Sequence, residues 1–211
     1  MNRDDIFALA ENAEAEAVKG LTLQDLFYID ELKQRNLFLE CDVEQYTAGE
    51  IIHRIIQFNQ EDKGIDIDKR VPIRLHISSN GGEVDAGFSL VDTIRLSKTP
   101  VYTINAGYAY SMGFLIMLAG KKRFSFPNAK FLLHDGSNFV YGTSGKVQDQ
   151  AEFNKRVEER IKNYVVSHTK ITPEQYDAKQ RVEWYMFAEE AKELGVIDSI
   201  LGEDAGFDEV I

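Results

Sequence analysis

Hydrophobic residues recur along this chain with two different periods. Ile73, Leu75 and Ile77 alternate with polar residues, and this alternation is typical of a half-buried β-strand. Elsewhere apolar residues recur every three or four positions, which indicates helices that pack one face on a core. The predicted strands cover residues 35–41, 73–77, 101–105, 123–126, 131–134 and 196–201. The predicted helices cover residues 21–34, 46–59, 85–97, 145–168 and 188–194, and a further helix is predicted within residues 1–20.

Strands and helices follow one another with short turns between them. This order predicts an α/β fold in which helices cover layered β-sheets. Gly107 is expected to break the chain after the strand 101–105, and a small helix is expected to start near Ser111. The long helix 145–168 is apolar on one face and charged on the other, so it must dock on its own core or on another copy of the chain.

Composition and charge narrow the class of protein. The chain has 211 residues, 44% of them hydrophobic and 28% charged, which is typical of one globular domain. Its net charge of −11 disfavours a nucleic-acid partner, because such proteins concentrate Lys and Arg. Cys41 is the single cysteine and excludes an internal disulfide or a multi-cysteine metal site. No apolar run approaches the ~20 residues that span a bilayer, and no secretory signal is visible, so we expect a cytoplasmic protein without a membrane partner.

Three features of the sequence carry potential chemistry. Gly81 and Gly82 follow a predicted strand, Ser111 lies between a strand and an apolar helix, and His134 ends a strand. Each has an ordinary structural interpretation, as a tight turn, a helix N-cap and a surface histidine. Together they supply a nucleophile, a base and two backbone N–H donors for an oxyanion. The sequence spacing leaves the third member of such a triad, an acid, open.

Several longer motifs occur in one order along the chain. They read ISSNGGEVDAGFSLVDTI, GYAYSMGFLIMLAG, GKKRFSFPNAKFLLH and MFAEEAKELGVID. In sequence and spacing, residues 73–201 resemble the ClpP family, the proteolytic subunit of the Clp protease. The resemblance implies a ClpP/crotonase-like α/β fold with a peptidase domain at residues 35–204 and a handle helix, about 145–168, for ring–ring contact. Residues 1–34 are predicted to be a helical segment that matches the family poorly, and residues 205–211 are predicted to be an acidic tail.

The resemblance also implies roles for individual side chains. Ser111 takes the place of the nucleophile and His134 that of the general base. The family's acid is an aspartate, and counting back from Ala188 without a gap places Glu183 there. Glutamate serves as the acid in some serine triads. Asp135 is a rival acid by proximity, but adjacent residues of a strand face opposite sides, so Glu183 is preferred.

The same resemblance predicts the oxyanion hole and the substrate cleft. The backbone amides of Gly82 and Met112 correspond to the oxyanion donors. Two segments flank the substrate peptide, which pairs with them as an added strand. Their predicted substrate-binding residues are Gly81, Glu83, Val84, Asp135 and Gly136. Asp135 and Gly136 replace the family's Gln-Pro, which makes this wall more acidic and predicts an altered side-chain preference.

The family resemblance implies a serine endopeptidase that cleaves unfolded proteins and peptides inside an oligomeric chamber. The expected partners are further copies in a heptameric ring, or two stacked rings, and an AAA+ ATPase unfoldase. No cofactor or metal is expected for the chemistry. One alternative is a catalytically weak or inactive ring subunit that acts as a scaffold. Another is an acyl-CoA hydratase or hydrolase on the related crotonase architecture, although the acidic surface offers no obvious site for CoA phosphates.

Overall fold

The computed structural model describes residues 20–137, 139–179 and 181–211, so most of the helix predicted within residues 1–20 lies outside it. These described residues contain seven strands: β1 (Asn36–Leu39), β2 (Ile73–Ser79), β3 (Val101–Tyr110), β4 (Lys122–Ser125), β5 (Lys130–Leu133), β6 (Trp184–Phe187) and β7 (Ser199–Ile200). The α-helices are α1 (Leu23–Lys33), α2 (Gln45–Glu61), α3 (Val84–Leu96), α4 (Met112–Met117), α5 (Ser144–His168), α6 (Pro173–Lys179) and α7 (Ala188–Glu193). Short 3₁₀ helices cover Ile67–Lys69 and Phe207–Glu209.

The strands form one branched sheet, with β1, β2, β3, β4 and β7 as its main path. All pairs on this path are parallel. Strand β3 is long enough to serve two partners: its first half pairs with β4, and Tyr108–Tyr110 pair with β5. Strand β6 then adds to β5 in the antiparallel direction. The predicted α/β class is confirmed, and the bifurcation of β3 creates a second sheet layer beside the first.

The main core lies on one face of the parallel strands. Ile73, Leu75 and Ile77 are fully buried there, which explains the alternation in the sequence. Helix α2 packs against α3, and α3 packs against α4, so these helices cover this face. On the opposite face a smaller cluster forms around Phe124, and the fully buried Val210 draws the C-terminal residues onto it.

Two helices leave most of their surface uncovered in the single chain. Helix α1 begins with a capping box between Thr22 and Asp25, and none of its residues is buried. Helix α5 has 25 residues, of which only Tyr164 and Val165 are buried. Among the described residues no helix is both long and apolar enough to cross a membrane.

Near the sheet branch the structure corrects one sequence prediction and adds one strand. Gly107 does not break the chain, because β3 continues through it to Tyr110. The Gly107 N–H donates to the side-chain oxygen of Asn105 at 3.1 Å, so the glycine is accommodated within the strand. Strand β6 was not predicted, although its residues alternate between buried and exposed. Four residues are too few for that alternation to stand out beside the helix that follows.

Candidate active site

Ser111 occupies a strained turn between β3 and α4. Its φ of 52° and ψ of −117° lie outside the regions that non-glycine residues normally adopt. Strain of this kind concentrates at functional sites, and a serine on a sharp strand-to-helix turn presents its Oγ outward. The Ser111 N–H donates to the carbonyl of Leu132 at 2.9 Å. This bond ties the turn to β5, the strand that carries His134 at its exit.

The two glycines after β2 pack directly on the Ser111 turn. Gly81 has a φ of 93°, and a Cβ at this position would lie 2.7 Å from the Met112 nitrogen and 2.8 Å from the Ser111 Cβ. A Cβ at Gly82 would lie even closer to the backbone oxygen of Val43. The Val43 N–H donates to the Gly81 carbonyl at 2.7 Å. Only residues without a side chain allow this approach, so the local sequence explains the loop geometry.

The same packing brings two candidate amide donors together. Within the described part of the chain, neither the Gly82 N–H nor the Met112 N–H donates a hydrogen bond. The Met112 nitrogen lies beside the Gly81–Gly82 loop, as the tight contact at Gly81 shows. Backbone N–H groups without an internal acceptor are available to stabilise the negative oxygen of a tetrahedral intermediate.

His134 and Glu183 form a hydrogen-bonded pair. The His134 Nδ1 lies 2.9 Å from a carboxylate oxygen of Glu183. The register of β5 and β6 accounts for this contact: Leu133 is opposite Trp184, so the next residue of β5 meets the preceding residue of β6. The His134 imidazole, through its hydrogen bond, holds the pKa of Glu183 below its usual value. A carboxylate on Nδ1 leaves Nε2 as the nitrogen available for proton transfer.

The serine and the histidine are neighbours through their strands but are not hydrogen-bonded. In residues 20–137, 139–179 and 181–211 the Ser111 hydroxyl forms no bond to the His134 imidazole. Catalytic hydrogen bonds are often long without substrate and tighten in the substrate complex. The described geometry therefore joins His134 to Glu183, and leaves Ser111 on an adjacent turn.

The predicted substrate-binding residues fall into two groups. Gly81 is buried and Glu83 is exposed on the loop that leads into α3, whereas Val84, the first residue of α3, is half-buried. Asp135 and Gly136 are exposed on the segment that follows His134. Glu183, and not Asp135, is hydrogen-bonded to the imidazole. The antiparallel register of β5 and β6 places Glu183 opposite His134. No cluster of potential metal ligands occurs in the part of the chain that the structure covers.

Comparison with protein families decides the relationship. Residues 23–204 match the family model of the Clp protease. The chain belongs to the Clp protease family. This membership supports a peptidase of the ClpP type and agrees with the observed parallel sheet and covering helices.

Relatives within the family cover almost the whole chain. The ATP-dependent Clp protease proteolytic subunit 2 of Corynebacterium diphtheriae is 31% identical over 189 residues, 89% of this chain and 92% of the relative. The subunit of the same name from Rhodococcus jostii is 30% identical, over 90% of this chain and 95% of its own. Proteolytic subunit 1 of Streptomyces avermitilis is 32% identical, over 92% of this chain and 88% of its own.

One group of residues at this site was not found from the sequence. Tyr108, Tyr110 and Tyr185 line the sheet beside the Ser111 turn, with ring centroids 5.2 Å and 5.9 Å apart in successive pairs. The alternation of Tyr108 and Tyr110 at the end of β3 was a usable signal, but the predicted break at Gly107 concealed it. The contact with Tyr185 depends on the pairing of β5 with β6, which local patterns do not report.

Proposed function

We propose that this protein is a serine endopeptidase of the Clp type, with Ser111, His134 and Glu183 as its triad. The observation that carries the proposal is the 2.9 Å hydrogen bond between His134 and Glu183, next to a strained serine turn. Such a pair holds the imidazole in one tautomer and stabilises the imidazolium that forms during the reaction.

The proposed reaction follows from the positions of these groups. Ser111 Oγ attacks the scissile carbonyl carbon while His134 Nε2 accepts the hydroxyl proton. The carbonyl oxygen becomes an oxyanion that accepts hydrogen bonds from the Gly82 and Met112 N–H groups. His134 then donates the proton to the leaving amine, which breaks the peptide bond and leaves an acyl-enzyme. Water, deprotonated by His134, hydrolyses this ester and regenerates Ser111.

Substrate recognition is proposed to use the two segments beside the triad. An extended peptide would run between Glu83 and Val84 on one side and Asp135 and Gly136 on the other, and pair with their backbone as an added strand. Glu83 and Asp135 are both exposed. Two negative side chains along one cleft repel acidic substrate residues, so we expect basic or neutral residues near the cleaved bond to be preferred.

Assembly into a heptameric ring, single or stacked in pairs, is part of the proposal. Its support is the uncovered surface of α5, where Phe153 is 55% exposed, and of α1, where Phe27 is 52% exposed. Apolar helical faces of this size are covered in stable proteins. An AAA+ unfoldase is the proposed partner that delivers unfolded chains. Native mass spectrometry of the full chain tests the number of subunits.

The decisive experiment labels the nucleophile. The intact protein is incubated with a fluorophosphonate probe, and hydrolysis of dye-labelled casein and of a set of fluorogenic peptides is measured. We expect Ser111→Ala to abolish labelling and hydrolysis, whereas Ser89→Ala, an exposed serine on α3, retains both. A wild-type oligomer that hydrolyses these substrates but is not labelled at Ser111 would contradict the proposed mechanism.

The scaffold function remains the second candidate. It is favoured by the missing hydrogen bond between Ser111 and His134 within the described residues and by a glutamate where the family has aspartate. The two functions predict different results for one set of variants. A scaffold gives the same background hydrolysis in the wild type, Ser111→Ala and Glu183→Ala. A triad gives losses of roughly 10⁴-fold in kcat for the glutamate variant and more for the serine variant.

A further inference from the structure

A row of side chains crosses the second sheet layer beside the triad. Tyr110 of β3 pairs with Leu132 of β5, and Leu132 pairs with Tyr185 of β6. Residues that are directly paired across strands point to the same face. His134 and Glu183 lie one register step further, two residues beyond Leu132 and two before Tyr185, so they share this face. Tyr185 therefore lies on the same face as His134 and Glu183, and two residues from Glu183 along the chain.

The ring of Tyr185 is held by its neighbour. It meets Tyr110 edge to face, with ring centroids 5.9 Å apart and an interplanar angle of 86°. Tyr110 in turn packs against Tyr108, with ring centroids 5.2 Å apart. Aromatic pairs of this geometry fix ring orientation. The Tyr185 ring is thus held against the residue that precedes Ser111, although Tyr185 is 57% exposed.

Glu183 needs such a neighbour more than an aspartate would. Its side chain is 55% exposed, and it has one more rotatable bond to hold in the productive rotamer. Glu183 lies two residues before Tyr185, at the register position opposite His134, so Glu183 and Tyr185 are neighbours on one face. Among the described residues no hydrogen bond joins the two side chains, but Tyr185 contributes to the lowered pKa of Glu183 after the larger effect of His134. The pKa of Tyr185 is raised, first by burial and then by its interaction with Glu183.

We propose that Tyr185 is a positioning residue: in the substrate complex, where catalytic hydrogen bonds tighten, its hydroxyl donates a hydrogen bond to Glu183 and holds the longer carboxylate against Nδ1 of His134. In this role Tyr185 acts through Glu183. The inference rests on the proposed serine endopeptidase mechanism. It assigns to an adjacent tyrosine the task of making glutamate serve where the family has aspartate.

A double-mutant cycle separates this role from a merely structural one. Tyr185→Phe keeps the ring on Tyr110 and removes the hydroxyl, so kcat on a fluorogenic peptide should fall roughly tenfold with KM unchanged, as expected when a hydrogen bond to a charged group is lost. In a Glu183→Ala background the same change should have no effect, because no carboxylate remains to be held. The matched control, Tyr108→Phe, should retain the wild-type kcat. Equal losses in both backgrounds would overturn the proposal.

A second measurement needs no turnover. In protein labelled with ¹³Cζ-tyrosine, the resonance missing from Tyr185→Phe identifies Tyr185, and its titration gives the phenol pKa. We expect Glu183→Gln to move this midpoint to lower pH, because the negative acceptor that raises it is gone. An unchanged midpoint overturns the contact between the two side chains. A protein with the expected shift and no fluorophosphonate labelling of Ser111 would refute the endopeptidase mechanism while leaving the tyrosine–glutamate contact established.

Discussion

Gly81 is the position where one added methyl group tests the geometry of the site most directly. Its φ is 93°, and a Cβ there would lie 2.7 Å from both the Met112 nitrogen and the Tyr110 carbonyl oxygen. Both are backbone atoms of the Ser111 turn, so they cannot rotate away as a flexible side chain would. An alanine at this position therefore forces the Gly81–Gly82 loop and the serine turn apart.

Two effects of Gly81→Ala follow from these distances. The left-handed backbone conformation costs an alanine roughly 1–2 kcal/mol, and the added atom in a packed site costs about 1–3 kcal/mol. The separation of the loops also moves the Gly82 N–H away from the Met112 N–H. Loss of one oxyanion donor lowers kcat by about 10²- to 10³-fold. We expect both a lower free energy of unfolding and a much larger loss of activity than that instability explains.

Urea denaturation and peptide hydrolysis at a temperature where both proteins are folded measure the two effects. Gly49→Ala is the control, because Gly49 lies inside α2 and a Cβ there meets no atom within 4 Å. This change should stabilise the protein by about 0.5–1 kcal/mol and leave kcat unaltered. A folded Gly81→Ala protein with the wild-type kcat would refute the reasoning, since it would show that the loop does not position an oxyanion donor.

Three further predictions concern the stability of the fold. Phe114→Ala empties a fully buried site directly after the Ser111 turn and should cost about 3–5 kcal/mol in urea denaturation. The Asp62 pKa is lowered by its hydrogen bond to Arg35, so this pair stabilises the fold above the ordinary carboxyl pKa and loses that contribution as the pH falls; Asp62→Asn should be less stable at neutral pH, with a gap that narrows in acid. Thr22→Ala removes the capping box of α1 and should cost about 1 kcal/mol, and an unchanged stability would contradict that cap.

Local sequence patterns determined much of this fold. The alternation of Ile73, Leu75 and Ile77 predicted β2, and the apolar stripe predicted α5 with a start one residue from the observed Ser144. The candidate serine and histidine were also visible, because Ser111 lies between a predicted strand and a predicted helix and His134 ends a predicted strand. These features depend on neighbouring residues in the chain, which is why periodicity and turn residues report them.

Residue spacing left the acid open and the family resemblance indicated Glu183, but only the tertiary structure shows that Glu183 meets His134. Glu183 lies 49 positions away in the sequence, and its place is set by the antiparallel pairing of β5 with β6. The length of β3 and the row of tyrosines depend on the same pairing. Hydrogen bonds between distant strands depend on the packing of the whole sheet. Residue spacing within one segment therefore does not predict them.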